Sequence, residues 1–206
     1  MMIRILIIAF IVGLAGPAAS AQTDNHTSVR VQSGAGIPVQ EYVNIHLVSG
    51  LGITVPLRQR LALSLDLGYW TSPVDEVLKK FYEGQLKAFP LTASLRFIFS
   101  HQKRVNPYVF AGAGYVFCSF ETGGIITIPE ITIDQSVKNS LCLQAGLGID
   151  FPISRSAGFF AETGYFHRKT TGITTIVDLN SGTTTEEFSA NLSSWTFQVG
   201  FRHILE

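Results

Sequence analysis

Six charged residues are spaced so that they could line one interior surface. They are Arg30, Asp66, Arg96, Asp150, Glu162 and Arg202. Guanidinium and carboxylate groups held close together could form a path for protons or ions. They could instead neutralise one another, and this structural role is the stronger interpretation because an unpaired buried charge is costly. The interior is then plugged rather than open.

Two cysteines offer a second chemistry. Cys118 and Cys142 have the same parity in neighbouring strand-like segments, so both side chains are expected to face the same interior. A disulfide across that hairpin is compatible with an oxidising compartment. Two free thiols are the alternative, and the sequence leaves the choice open.

The histidines do not form a recognisable metal or catalytic motif. They are His26, His46, His101, His167 and His203. No H-E-x-x-H or C-x-x-C spacing occurs. His167 is the one candidate for chemistry on lipid at a membrane rim, and no serine partner is evident beside it. We therefore expect no catalytic residue, no metal and no cofactor, and a protein that is not an enzyme.

The composition limits the class of protein that carries these groups. The 206 residues are 46% hydrophobic and only 15% charged, whereas soluble domains carry about 25% charged residues. Basic and acidic residues number 15 each, so charge gives no reason to expect a nucleic-acid partner.

Residues 1–21 have the form of a cleaved secretory signal peptide. Arg4 precedes a short apolar run, and Ala19-Ser20-Ala21 supplies an A-x-A end, so cleavage is predicted before Gln22. The run is short for a membrane anchor. The mature domain is predicted to be 22–206, exported from the cytoplasm.

The mature chain alternates apolar and polar residues with the period of a β-strand, and no charge-free window is long enough for a spanning helix. Eight segments alternate in this way: 29–37, 43–55, 61–69, 91–99, 109–117, 141–151, 159–165 and 195–202. Repeated strands without helices predict an all-β fold.

The two faces of these segments differ. One is apolar and uncharged, and its members on the second segment are Val43, Ile45, Leu47, Leu51 and Ile53. The other carries glycines and polar groups. The lumen of an eight-stranded barrel is only wide enough for packed side chains, so the bulky face is expected to point outward into lipid. A soluble barrel or sandwich is the alternative, but its exterior should be rich in Lys and Glu.

We therefore predict an eight-stranded antiparallel up-and-down transmembrane β-barrel with a polar, glycine-rich lumen and an apolar exterior. Short links alternate with long ones, as periplasmic turns and extracellular loops do, which puts both termini in the periplasm. The short links are 56–60, 100–106 and 152–157, and the long ones are 71–89, 118–140 and 166–194.

Aromatic residues at the strand ends fit interfacial girdles: Tyr69, Phe117, Tyr165 and Trp195 at the loop end, with Phe99, Phe151, Phe159 and Phe201 at the turn end.

Two segments, 107–115 (PYVFAGAGY) and 145–152 (AGLGIDFP), resemble those of small bacterial outer-membrane β-barrel proteins of the OmpA/OmpX-like group. The last strand is also similar to the C-terminal signal that the barrel-assembly machinery reads. Gln198, Gly200, His203 and Leu205 match its spacing, although the chain ends in Ile-Leu-Glu instead of a terminal Phe. The resemblance implies an outer-membrane location and leaves the function open, because the family is functionally mixed.

The long loops carry local patterns of their own. Ser72 and Pro73 read as an N-cap and a first helical residue, followed by apolar residues at helical spacing up to Gly84. The segments 125–133 and 173–188 read as hairpins that extend beyond the bilayer, and their edges could pair with a partner strand.

These features predict a monomeric barrel in the outer membrane that contacts lipid, the assembly machinery during biogenesis and a surface partner through its loops. The predicted role is structural or surface interaction, such as envelope integrity or adhesion, without an open pore. A narrow passive pore for small or apolar solutes is the alternative, and a lipid-modifying enzyme is a weaker one.

Overall fold

The computed structural model describes residues 26–40, 43–74, 84–99, 105–122, 131–178 and 182–205. Its strands are β1 (Ser28–Pro38), β2 (His46–Arg58), β3 (Leu61–Val74), β4 (Gly84–Ile98), β5 (Asn106–Thr122), β6 (Ile131–Val137), β7 (Ser140–Pro152), β8 (Ala157–His167), β9 (Lys169–Asp178), β10 (Gly182–Asn191) and β11 (Ser194–Ile204). Eight of them close into a barrel in the order β1-β11-β8-β7-β5-β4-β3-β2. All neighbouring pairs are antiparallel, which confirms the predicted fold.

No helix in these ranges is long and apolar enough to cross a membrane. The signal peptide predicted over 1–21 lies outside the described residues and stays a prediction. His101 and the first half of the 125–133 hairpin also lie outside them.

The outer face of the barrel is apolar and exposed. Leu47 is 69% exposed and Leu141 is 76% exposed, whereas the inward Ser64 is 0% exposed. Soluble monomers rarely expose a continuous apolar patch of more than a few hundred Å². A belt of this kind around a closed barrel matches a lipid environment, and the predicted sidedness is confirmed.

Val43 is an exception to the predicted outer face. It is only 6% exposed, and it lies before β2, where it forms an isolated bridge to Val74. It packs with Leu86 and Leu192 in an apolar cluster at the loop end of the barrel. The expectation that it faces lipid is wrong because the strand period does not extend back to this residue.

Aromatic rings form pairs at both ends of the barrel wall. At the loop end, the ring centroids of Tyr165 and Trp195 are 5.1 Å apart. At the turn end, those of Phe159 and Phe201 are 5.6 Å apart. Amphipathic and aromatic rings at these two levels match the girdles of membrane barrels.

A second sheet, which we call the outer sheet, consists of β6, β9 and β10 in the order β10-β9-β6. The predicted hairpin of the last loop is confirmed, because Gly182 pairs with Asp178 and Phe188 with Gly172. In the preceding loop, β6 pairs along β9 from Ile131↔Asp178 onward. The outer sheet thus joins segments of two different loops.

The helix predicted to start at Ser72 is not formed at its first residues. Ser72 and Pro73 lie in β3, which continues to Val74, and Val74 pairs with Gly84 of β4. The Ser72 hydroxyl donates to the carbonyl oxygen of Asn44 instead of capping a helix. Strand pairing therefore overrides the local capping pattern, and residues 75–83 lie outside the described residues.

Candidate functional site: a plugged lumen and its outer mouth

The lumen charges converge on Glu162 of β8. Its Oε1 atom accepts hydrogen bonds from the Arg30 guanidinium, from Arg96 Nη1 at 2.7 Å and from the Tyr108 hydroxyl at 2.5 Å. The donors come from β1, β4 and β5, so one carboxylate joins separate parts of the wall across the lumen. Charge-assisted bonds of this kind are the strongest hydrogen bonds in proteins.

The remaining charges are also paired. Arg30 Nη1 lies 3.7 Å from Asp66 Oδ1, and Arg202 Nε lies 2.7 Å from Asp150 Oδ1. The structure therefore places all the predicted lumen charges on the inner face, each within 4.0 Å of an opposite charge. This arrangement places paired charges across the lumen.

Inward aromatic rings support the arginines, and glycines make room for the rings. Arg30 lies 4.0 Å above the ring of Phe160, and Arg96 lies 5.1 Å from that of Tyr108. Across the ladders, Tyr108 is paired with Gly148 and Phe160 with Gly200. A Cβ atom on Gly148 would lie 2.5 Å from Tyr108 Cζ, so a larger residue there would have to displace the Tyr108 ring and its bond to Glu162.

An apolar layer lies on the extracellular side of the charges. It consists of Val48, Trp70, Ala88, Val116, Cys142 and Phe166, and we call it the inner cluster. A cavity of about 40 Å³ lies between this cluster and the charges, large enough for one to a few waters. Its lining includes Asp66, Arg96 and Glu162 on one side and Val48, Trp70 and Phe166 on the other.

The barrel wall has a break in its hydrogen-bond ladder beside this cavity. The pairing of β3 with β4 passes from Leu67↔Leu91 to Trp70↔Ala88 without bridges at the two positions between. Pro90 lies there and has no N–H to donate. Gly68 and Pro90 both line the cavity, and the rings of Tyr69 and Phe89 cover the same stretch from outside with centroids 5.1 Å apart.

The two cysteines are free, which is the alternative that the sequence left open. The register explains this outcome. Gly114 lies opposite Cys142 and Val116 opposite Ser140, so Cys118 lies four residues further along its strand. Four residues span about 13 Å, whereas the Cα atoms of a disulfide lie within about 7 Å of each other.

His167 does have a serine partner, which the sequence interpretation missed. Its Nδ1 atom lies 3.2 Å from Ser193 Oγ. The Ser193 hydroxyl also donates to Asn191 Oδ1 at 2.6 Å and accepts the Arg168 N–H at 3.0 Å. These bonds join the β8–β9 junction to the β10–β11 junction. Because Ser193 is 0% exposed, it is not placed as an accessible nucleophile.

Comparison with known proteins identifies the fold. No family model and no curated protein matches the sequence. The crystal structure of the outer membrane protein OprG from Pseudomonas aeruginosa matches with a TM-score of 0.76 and 16% identity, covering 91% of this chain and 99% of that one. Neisserial surface protein A matches with a TM-score of 0.56, 15% identity and coverage of 87% and 97%. Outer membrane protein W of E. coli matches with a TM-score of 0.53, 15% identity and coverage of 88% and 98%.

The chain therefore has the fold of the small eight-stranded outer-membrane β-barrels. Its apolar exterior and paired lumen charges are those expected of such a barrel in a bilayer. At this level of identity the likeness concerns the fold and does not assign a role.

Proposed function

We propose that the protein is a non-enzymatic outer-membrane barrel with a closed lumen that presents its outer sheet to a surface partner. The observation that carries this proposal is strand β10. Residues 182–187 are exposed on both faces, and among the described strands β10 pairs only with β9. In the part of the chain that the structure describes, the other edge of β10 has no strand partner, and an extended segment of a partner can add there as a further strand.

The plug supports a role outside the lumen. Arg30 is 3% exposed and Arg96 is 7% exposed, and both are fixed by Glu162 across the barrel. An open porin needs a continuous aqueous path, and side chains tied together across the lumen argue against one. We further propose that the barrel is a monomer in outer-membrane lipid and that its last strand is the segment read by the assembly machinery.

Blocking the free edge of β10 tests the surface role. Cells of a non-adherent Gram-negative host that display the protein should be retained on surfaces coated with extracellular-matrix proteins. Thr184→Lys should lower retention to the level of cells without the protein, because a lysine on an edge strand disfavours addition of another strand. Counting the retained cells measures the effect, and heat-modifiable migration shows that the variant is folded.

Thr175→Lys is the matched control, since Thr175 lies on the central strand β9 with pairing partners Thr185 and Asp134 on its two sides. It adds the same charge to the same sheet and should leave retention unchanged. Equal losses in both variants would indicate recognition of a sheet face, and no loss in either would reject the edge as the contact.

The ladder break favours a second candidate function, the passage of small apolar solutes through the wall. A solute that reached the cavity beside Gly68 and Pro90 would be separated from lipid only by the rings of Tyr69 and Phe89. This route would bypass the charges at mid-height. It would therefore deliver solute into the membrane and not through the lumen.

A reversible cross-link across the break tests the second candidate. Tyr69→Cys with Phe89→Cys, in a background in which Cys118 and Cys142 are replaced by Ser, places thiols on facing positions of β3 and β4. Uptake of a small aromatic hydrocarbon by cells should fall to background after oxidation and recover on reduction. Neither form should give steady nanosiemens-scale conductance in planar bilayers, and uptake that is unaffected by oxidation would rule out this route.

A further inference from the structure

Arg168 is the most deeply buried charged residue among those that the structure describes, with 1% of its surface exposed. It lies between β8 and β9, and its side chain reaches the loop ends of β7 and β5. Nε donates to Ser140 Oγ at 2.8 Å, and Nη2 donates to Cys118 Sγ at 2.7 Å. Both acceptors are neutral groups in their ordinary protonation states.

The other inward arginines show what Arg168 lacks. Arg30, Arg96 and Arg202 each lie within 4.0 Å of a carboxylate. No described Asp or Glu lies within that distance of Arg168. A guanidinium withdrawn from water is costly unless a negative charge accompanies it, and among the residues that the structure describes Arg168 has no such counter-charge.

One hydrogen-bond partner of Arg168 connects it to two apolar clusters. Cys118, which accepts its hydrogen bond, packs against both the inner cluster and a second group that we call the outer cluster. The outer cluster consists of Val43, Val74, Leu86, Val137, Ala190 and Leu192. Val48, Trp70 and Phe166 of the inner cluster also line the cavity of about 40 Å³.

We propose that Arg168 binds the head group of an anionic amphiphile, specifically a carboxylate that carries an unbranched apolar chain. A carboxylate matches the planar fork of a guanidinium and brings one negative charge to one positive charge. A small inorganic anion would leave the neighbouring apolar groups without a partner. The chain would follow Cys118 and the inner cluster toward the cavity beside Trp70, and the side chains there must separate to admit it.

Fluorescence of Trp70 gives a direct test, because Trp70 and Trp195 are the only tryptophans of the chain. Trp195→Phe leaves Trp70 as the single reporter. The full mature chain, folded in nanodiscs of zwitterionic lipid, is titrated with a chain-brominated dodecanoate, which quenches tryptophan on contact, and with the brominated alcohol of the same length. We expect saturable quenching by the carboxylate and at least tenfold weaker binding of the alcohol.

Arg168→Gln should abolish the preference for the carboxylate, and Arg168→Lys should retain part of it. Lys169→Gln removes an exposed positive charge one residue away and should change nothing. Equal binding of carboxylate and alcohol, or an unchanged preference in Arg168→Gln, would overturn the proposal.

Two competition arms identify the source of the anion. Unlabelled dodecanoate should reverse the quenching, whereas inorganic phosphate should not. Displacement of the quencher by phosphate would indicate a site for a bare anion. Loss of quenching in nanodiscs of anionic lipid would indicate that a lipid head group occupies the site. Either result would reject a free amphiphile as the ligand. These arms use the Trp195→Phe chain with Arg168 intact, so they remain decisive if Arg168→Gln does not fold.

Discussion

Glu162→Ala is expected to lower the free energy of unfolding by about 3–5 kcal/mol, the usual effect of removing one partner from a buried ion pair. The substitution leaves Arg96 without its carboxylate and removes the stronger of the two contacts of Arg30. It also leaves the Tyr108 hydroxyl without its acceptor. Urea unfolding of the barrel in bilayers, followed by heat-modifiable migration, measures the loss.

Glu187→Ala is the matched control for that experiment. Glu187 also accepts from a cation, Lys138 at 2.8 Å, but both side chains are at least half exposed. Exposed pairs contribute about 0–1 kcal/mol, so this variant should unfold close to the parent. A loss of similar size in both variants would mean that the Glu162 network is as solvated as a surface pair and does not plug the lumen.

The fold could be predicted from the sequence because lipid and lumen impose opposite demands on alternate residues. Leu65 and Asp66 illustrate this: Leu65 is 50% exposed on the wall and Asp66 is 8% exposed inside. The barrel strands repeat this contrast, so the pattern is reinforced from one strand to the next. The charges at Arg30 and Glu162 were predictable for the same reason, since parity alone assigns them to the lumen.

Contacts that depend on register were not predictable in the same way. Parity places Cys118 and Cys142 on one face, but only the pairing of Gly114 with Cys142 shows how far apart they are. Ser193 reaches His167 because two separate strand junctions meet, and nothing in the local sequence marks that meeting. Strand β6 likewise pairs with β9, which lies in a different loop further along the chain.

The inward aromatic residues were missed although the sequence contains a signal for them. Bulky residues were assigned to the outer face, yet Trp70 and Phe166 are 8% and 3% exposed inside the barrel. Two other inward rings, Tyr108 and Phe160, each lie opposite a glycine on one neighbouring strand. An aromatic residue at inward parity, facing a glycine on the next strand, therefore predicts a ring that crosses the lumen.

Leu65→Lys is expected to destabilise the inserted barrel by about 2–4 kcal/mol, the range for a lysine on the lipid face near the bilayer midplane. Leu65 lies in the middle of the β3 wall, paired with Ile53 and Ala93 on either side, and half of its surface is exposed. In lipid the ammonium group has no water within reach, whereas in water the same substitution would be nearly neutral. Urea unfolding in bilayers of defined thickness measures the difference.

Val177→Lys separates the effect of lipid from that of exposure. Val177 is also a partly exposed apolar strand residue, at 36%, but it belongs to the outer sheet. Its substitution should cost well under half of the Leu65→Lys effect, because water solvates the new charge there. Similar losses at both positions would mean that the apolar wall does not face acyl chains, and the assignment of an inside and an outside to this barrel would then be wrong.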